Sequence, residues 1–398
     1  MPSSPYKKST FPVVQLVKWP RGLRVFQKDI DQAPKGLEIG DQVEVLDRAG
    51  NSCGFGVWHP SSMIAVRILR TDAPFDDDWI RGCALAAINR RRAANVNLNE
   101  PCRIIHAESD DLPALIVDRF DDTLCAELYS ETAVHLWDTI SPILHKELGT
   151  QHHLLRFDEK SARAENAQPL ELRSNSCPNL LKISENGIRY EVDLRDGHKT
   201  GFFCDQRLNR QKIRAEVERV IATKGHCSVL DICTYTGGFA LAAAVGGATE
   251  VQGVDLDEKA IAVAKRNANL NQTTKVRFTH SDAFPWLRQA FENGSRFDIV
   301  IVDPPKFIPN RSKWDEGIAK YHDLNKVAAP LLEEGGLMLT CSCSGLLPMS
   351  DFQEKVRQAT KRLGRPLRIE AATGAGPDHP VRLDFPEGAY LKALWLRG

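Results

Sequence analysis

In the second half of the chain, strand-length apolar runs alternate with helix-length stretches, and this rhythm constrains the fold more than any other feature. Strands are expected at residues 228–231, 251–255, 276–279, 298–302, 337–341 and 390–395, with helices starting at Phe239 and running over 258–270. Strands separated by helices cannot pair through tight hairpins. They need crossovers, which give a mostly parallel, doubly wound sheet of the α/β class. Folds of this kind hold their ligands at the carboxyl ends of the strands. The residues just beyond each expected strand are therefore the place to look for chemistry.

The chain has 398 residues, more than one ordinary domain needs. Upstream of residue 187 the rhythm changes. Short alternating runs at 13–17, 43–46, 55–58 and 64–69 read as strands of a small bent β-barrel spanning 11–72. An acidic hinge follows at 72–78. A central α+β domain is expected over 79–186, opening on a helix over 79–94 that carries Arg90, Arg91 and Arg92, a run expected on a solvated face. A second helix is expected over 131–148, kinked or broken at Pro142. The stretch Gly40-Asp41-Gln42-Val43-Glu44-Val45, with Gly54-Phe55-Gly56 and residues 61–70, resembles the PUA domain, an RNA-binding module.

Charge and composition exclude several classes. Lys plus Arg equal Asp plus Glu at 52 each, so bulk charge alone cannot bind nucleic acid, although a local basic groove can. No apolar run approaches the roughly 20 residues of a membrane span, and residues 1–10 read as a polar tail, so a soluble, cytoplasmic protein is expected. The ten cysteines lie in a long chain, with no visible secretory signal and no small-domain spacing, so a disulfide framework is not expected; they include no C-x-x-C pair, so structural zinc is not expected either, nor any other metal site.

The strand ending at Asp231 runs into Thr234-Tyr235-Thr236-Gly237-Gly238-Phe239, where glycines at a strand-to-helix turn let a ligand approach the backbone. The next strand ends at Asp255, whose carboxylate can accept two ribose hydroxyls; Asp257 beyond it can equally cap a helix. The third leads to Asp282, placed for the exocyclic amine of adenine. A Rossmann dehydrogenase is the rival reading, but the turn lacks G-x-G-x-x-G spacing. The three strand ends together favour S-adenosylmethionine.

The fourth strand ends in Asp303-Pro304-Pro305-Lys306-Phe307, a stiff loop that can hold a flat base, with Asp303 near both cofactor and base. The fifth ends in Cys341-Ser342-Cys343-Ser344-Gly345. A thiolate can add to carbon 6 of a pyrimidine and activate carbon 5 for methylation. Residues two apart face the same side of a strand, so either cysteine could reach the edge; a strand ending near Cys341 leaves Cys343 on the loop beside Asp303. Asp303 could hydrogen-bond the ring at N3 if it is protonated or meets a protonated base.

These motifs, with Gly197-His198-Lys199-Thr200-Gly201-Phe202-Phe203-Cys204-Asp205-Gln206-Arg207, Asp378-His379-Pro380-Val381 and Pro386-Glu387-Gly388-Ala389-Tyr390-Leu391-Lys392, resemble the bacterial large-subunit ribosomal RNA 5-methylcytosine methyltransferase I family. The resemblance covers nearly the whole chain. It implies a PUA-like barrel, a central α+β domain and, over 187–398, a Rossmann-like class I methyltransferase domain. It implies S-adenosylmethionine as cofactor and ribosomal RNA as partner, with Asp231, Thr236, Gly237, Gly238, Phe239, Asp255, Asp282, Asp303 and Gln206 on the cofactor side. Pro304, Pro305, Lys306 and Arg207 would face substrate. Cys343 is the implied nucleophile and Asp303 its catalytic partner. Lys306 stands where two-cysteine relatives carry a second cysteine. A 5-methyluridine enzyme, an exocyclic-amine methyltransferase and a non-catalytic RNA assembly factor are the other readings, and a homodimer could form through the PUA-like part.

Overall fold

The computed structural model describes residues 10–195 and 200–398. The chain forms two compact units. The first comprises the described residues of Met1–Asn179, Leu194–Phe202 and Pro377–Gly388; the second comprises Leu180–Asp193, Phe203–Gly376 and Ala389–Gly398.

The first unit begins with strands β1 (Val13–Leu16), β2 (Arg24–Phe26), β3 (Ile30–Gln32), β4 (Gln42–Leu46), β5 (Ser52–Trp58) and β6 (Ile64–Arg70). They form one sheet in the order β2-β6-β5-β4-β1-β3, with β1 parallel to β4. The expected barrel is thus, in its pairing, a six-stranded sheet ending on β2 and β3. Those two strands are three residues each, too short to leave a periodic signal.

Helix α1 (Asp77–Ala93) starts at the Asp76 cap, whose carboxylate accepts the Trp79 N–H. The arginine run at its end departs from the solvated face expected of it. A helix turns 100° per residue, so the middle arginine of three points inward. Arg91 is fully buried; its guanidinium donates to Asp110 Oδ1 at 2.6 Å, the Arg103 carbonyl at 3.1 Å and the Asp378 carbonyl at 2.8 Å.

Strands β7 (Cys102–His106), β8 (Leu115–Phe120), β9 (Thr123–Leu128), β10 (His152–Phe157) and β11 (Leu170–Arg173) form a second sheet in the order β11-β10-β9-β8-β7. Helix α2 (Ala133–Leu148) continues through Pro142, so the kink or break expected there is not a break, and α3 (Glu159–Ala164) follows β10. Leu136, Ile140 and Leu144 of α2 join Ile80, Ala84 and Ile88 of α1 in one core over this sheet. Residues 377–388 pack into this unit, although in sequence they sit among the α/β strands.

The second unit opens with the antiparallel hairpin β12 (Leu180–Glu185) and β13 (Ile188–Asp193). The division expected between 186 and 187 runs through its turn. Then come α4 (Arg207–Lys224), β14 (Ser228–Ile232), α5 (Gly238–Val245), β15 (Glu250–Asp255), α6 (Glu258–Leu270), β16 (Val276–His280), α7 (Ala283–Glu292), β17 (Phe297–Val302), α8 (Trp314–Ala328), β18 (Leu332–Ser342), α9 (Met349–Thr360), β19 (Arg368–Thr373) and β20 (Lys392–Arg397).

The seven strands β14 to β20 form a sheet in the order β16-β15-β14-β17-β18-β20-β19. The first five in that order are parallel, and β20 is antiparallel to both its neighbours. The sheet is covered on both faces, which explains why its central strands are continuous apolar runs: all six residues of β17 are buried. Ile299, Ile301, Leu339, Cys341 and Trp395 face α4 and α5, while Val300, Val302, Met338, Leu394 and Leu396 face α8 and α9. Cys341 and Trp395 therefore share a face, and the carboxyl ends of β14, β15, β17 and β18 form one edge.

Candidate active site

At that edge the turn after β14 is held by unusual backbone angles. Cys233 and Tyr235 have positive φ, and Gly237 sits at φ +88°, where a side chain would be strained. A Cβ on Gly237 would also lie 2.9 Å from Phe278 Cζ. Asp231 is fully buried; its Oδ2 accepts from Thr234 Oγ1 at 2.5 Å and from the Ala240 N–H at 3.0 Å. Its Oδ1 has no hydrogen-bond partner, and burial pushes the carboxyl up to about 7. Asp231, expected among the cofactor residues, thus spends its bonds on the turn itself: the strand is buried on both faces there, so its side chain points into the fold.

Asp255 lies half-buried at the tip of β15. Its Oδ2 accepts the Tyr235 N–H at 2.7 Å and its Oδ1 the Asp257 N–H at 2.9 Å, and each oxygen keeps a further lone pair. Asp257 caps α6. Asp282 is exposed and caps α7 by accepting the Phe284 N–H at 2.8 Å. Thr236 is half-buried, Phe239 is buried, and Gly238 and Phe239 open α5 with amides that have no intrahelical acceptor.

Asp303 follows β17 directly, its N–H bonded to the Ile232 carbonyl at 3.2 Å. Gln206 Nε2 donates to Asp303 Oδ2 at 3.0 Å, bringing together two residues 97 positions apart. Pro304 is buried, whereas Pro305 and Lys306 are exposed. The loop is fastened downstream: the Ile308 N–H donates to Ser344 Oγ at 3.1 Å, Tyr321 Oη lies 2.9 Å from the same oxygen, and the Phe307 and Tyr321 rings stand 4.9 Å apart. The loop after β17 and the loop after β18 are thereby stitched together.

The two cysteines are in different surroundings. Cys341, inside β18, is fully buried, and burial, then the negative charge of Asp303, push its thiol well above the usual range, against a hydrogen bond with Gln206. Cys343 lies beyond the last residue of the strand and is partly exposed. Lys392 is paired across the ladder with Ser342. Its Nζ, almost wholly buried, donates to the carbonyls of Ser344 at 2.5 Å and Tyr390 at 2.6 Å. Burial lowers the Lys392 pKa to about 8, with Cys343 opposing the shift and Lys306 adding to it.

Arg207, expected to face substrate, is buried at the head of α4, where the fold encloses it. Of the resembling motif, Gly197, His198 and Lys199 lie outside the described residues. Among the described residues no group of histidines, cysteines or carboxylates is arranged to hold a metal, and no helix is long and apolar enough to cross a membrane.

The family S-adenosylmethionine-dependent methyltransferase matches residues 123–395, and a PUA-like domain matches residues 22–71. A protein of Tolumonas auensis named ribosomal RNA large subunit methyltransferase I is 35% identical over 381 residues, covering 94% of each chain. The chain belongs to this methyltransferase family. A relative of the same name from Shewanella frigidimarina is 36% identical, covering 90% of this chain and 91% of its own. Among solved structures, a SAM-dependent methyltransferase from Streptococcus mutans superposes with a TM-score of 0.79 at 20% identity, covering 97% of this chain and all of the other; it shares the fold. A methyltransferase solved with S-adenosylhomocysteine gives the same figures. The family's cofactor is S-adenosylmethionine. The strand-end edge fits it: a glycine backbone after β14, open amides at the head of α5, and the acids Asp255 and Asp282 that end β15 and follow β16.

Sequence reasoning missed Lys392 as a neighbour of Cys343, although it lies in a quoted motif. It also missed Asn209, which donates to Gln206 Oε1 at 2.6 Å and carries no motif.

Proposed function

We propose that this chain methylates carbon 5 of a cytosine in large-subunit ribosomal RNA through a transient bond from Cys343 to carbon 6. One observation carries the choice of residue. Cys343 is a partly exposed thiol on the loop fastened to the Asp303 loop, whereas Cys341 is sealed inside the sheet with its thiol held protonated. The names of the relatives support the RNA class.

Cys343 Sγ, as thiolate, adds to carbon 6 and pushes the carbon 5–carbon 6 electron pair into the ring, which makes carbon 5 nucleophilic. S-adenosylmethionine, when bound, supplies an electrophilic methyl group for that carbon. Loss of the carbon 5 proton then restores the double bond and expels Cys343 as thiolate. Asp303 holds the N3 edge of the base, and Pro304, Pro305 and Lys306 present a stiff, partly exposed wall to it. Thr236, Gly237, Gly238 and Phe239 hold the cofactor through their backbone, Asp255 its ribose and Asp282 its adenine, with Gln206 beside Asp303.

The test is methyl transfer to unmodified large-subunit ribosomal RNA, read by nucleoside mass spectrometry for wild type, Cys341→Ala and Cys343→Ala. The expected product is 5-methylcytosine, lost with Cys343→Ala and retained with Cys341→Ala. Full activity of Cys343→Ala overturns the nucleophile. A 5-methyluridine product overturns the base and leaves the thiol chemistry standing.

A further inference from the structure

A chain of four hydrogen bonds crosses the α4 side of the sheet and ends on Asp303. Trp395 Nε1 donates to Thr373 Oγ1 at 3.0 Å, and Thr373 Oγ1 donates to Asn209 Oδ1 at 3.1 Å. Asn209 Nδ2 donates to Gln206 Oε1 at 2.6 Å, and Gln206 Nε2 donates to Asp303 Oδ2 at 3.0 Å. Trp395, Asn209 and Gln206 are all buried, so water does not compete along most of the chain.

The direction of such a chain has chemical content. The indole N–H only donates, so Thr373 Oγ1 must accept there and has one proton left to give. Turning the Asn209 amide over would take the acceptor from that proton. It would also force the Gln206 amide over and set its oxygen against the Asp303 carboxylate. A donor-only group at one end and a carboxylate at the other polarise every amide between them in the same sense.

The geometry points to Trp395, Thr373 and Asn209 as positioning residues that lock the Gln206 amide with its N–H toward Asp303, keeping Asp303 an ionised acceptor. This rests on the reading of Asp303 as the group facing the base, and it selects between the two ways that group can act. A hydrogen bond given to a carboxylate favours its charged form. Asp303 then receives a proton-bearing edge of the base, such as a protonated N3, and does not deliver a proton to it. The same chain gives Cys341 a place: buried against Gln206, it helps wall the amide in and takes no part in the reaction.

The test reads Asp303 directly, without RNA or cofactor. Protein carrying carboxyl-13C aspartate is titrated by NMR, the Asp303 signal being identified by its loss in Asp303→Asn. Asn209→Asp is nearly isosteric but replaces the donor that faces Gln206 with an acceptor, so the Asp303 midpoint is expected to rise by about one pH unit or more. A new carboxylate could also act through its charge alone. Thr373→Val adds no charge and cuts the first two links, from Trp395 and to Asn209, freeing the Asn209 amide; the midpoint is expected to rise by a smaller, measurable amount. An unchanged midpoint in Thr373→Val, with native circular dichroism, overturns the proposal whether or not Asn209→Asp folds or shifts. The acid limb of the methyl-transfer pH profile should move with the midpoint. Failure of the 5-methylcytosine reading would show in the nucleoside assay and leave the titration untouched.

Discussion

Replacing Lys392 by methionine removes a charge and keeps most of the volume. The Lys392 Nζ binds the carbonyl of Ser344, the residue after Cys343, so ammonium and thiol are close. At a separation of about 8 Å and an effective dielectric of about 20, Coulomb's law gives about 2 kcal/mol between the ammonium and a thiolate. Cys343 is partly exposed, and discounting for solvent leaves about 1–1.5 kcal/mol, a five- to tenfold change in thiolate population near neutral pH. The assay is alkylation of Cys343 by iodoacetamide over a pH series, with the modified peptide quantified by mass spectrometry. Lys392→Met should react about five- to tenfold more slowly at pH 7. The gap should close as pH rises through about 8, where the Lys392 ammonium itself loses its proton. Stability gives an independent check. The folded pKa of about 8 lies below the ordinary 10.5, so the stability this group contributes is present above pH 10.5 and lost as pH falls through 8. Wild type should therefore gain about 3 kcal/mol over Lys392→Met between those limits. Superimposable alkylation profiles from two native-like proteins would refute the electrostatic reasoning.

Three further outcomes are expected. Asp231→Asn should flatten the pH dependence of stability: the buried carboxyl titrates near 7 when folded and 3.8 when unfolded, so its contribution is present below pH 3.8 and lost as pH rises through 7. Wild type should lose about 4 kcal/mol relative to the variant across that window in urea unfolding series. Gly237→Ala should destabilise by about 1–3 kcal/mol and weaken S-adenosylhomocysteine binding in calorimetry, because the φ of +88° and the contact with Phe278 both penalise a Cβ. Arg91→Met should cost about 3 kcal/mol in urea unfolding by depriving Asp110 of a buried partner, with Arg90 retaining its own bond to that carboxylate; a loss below about 1 kcal/mol would contradict the buried network.

Much of the candidate site was legible because its signals are local. The loops after β14, β15, β17 and β18 lie within a few residues of apolar runs whose length and two-sided burial mark them as central strands. Once strands alternate with helices, parallel pairing brings their carboxyl ends to one edge, and the acids and thiols that follow each strand come with them. That Cys343 lies outside β18 and Cys341 inside it follows from where the run of apolar residues stops. The fate of Asp231 was less legible. Its position at a strand end is apparent from the sequence, but its bonds to Thr234 and Ala240 depend on how the turn folds back.

Local sequence thus decides the order of strands and helices, the face each side chain takes along a strand, and the identity of the residues at the ligand edge. Long-range packing decides what those residues experience. Arg91 reads as one charge in a surface run until the return of residues 377–388 supplies the Asp378 carbonyl that helps bury it. Gln206, Asn209, Thr373 and Trp395 span 189 positions, and nothing in their spacing joins them until β19 and β20 pair beside β18 under α4. Lys392 is an ordinary lysine by composition; pairing opposite Ser342 takes its ammonium out of water and sets it beside a thiol. Hydrogen-bond direction and charge state respond to desolvation and to partners that come from remote segments, so neither is encoded at the position that displays it.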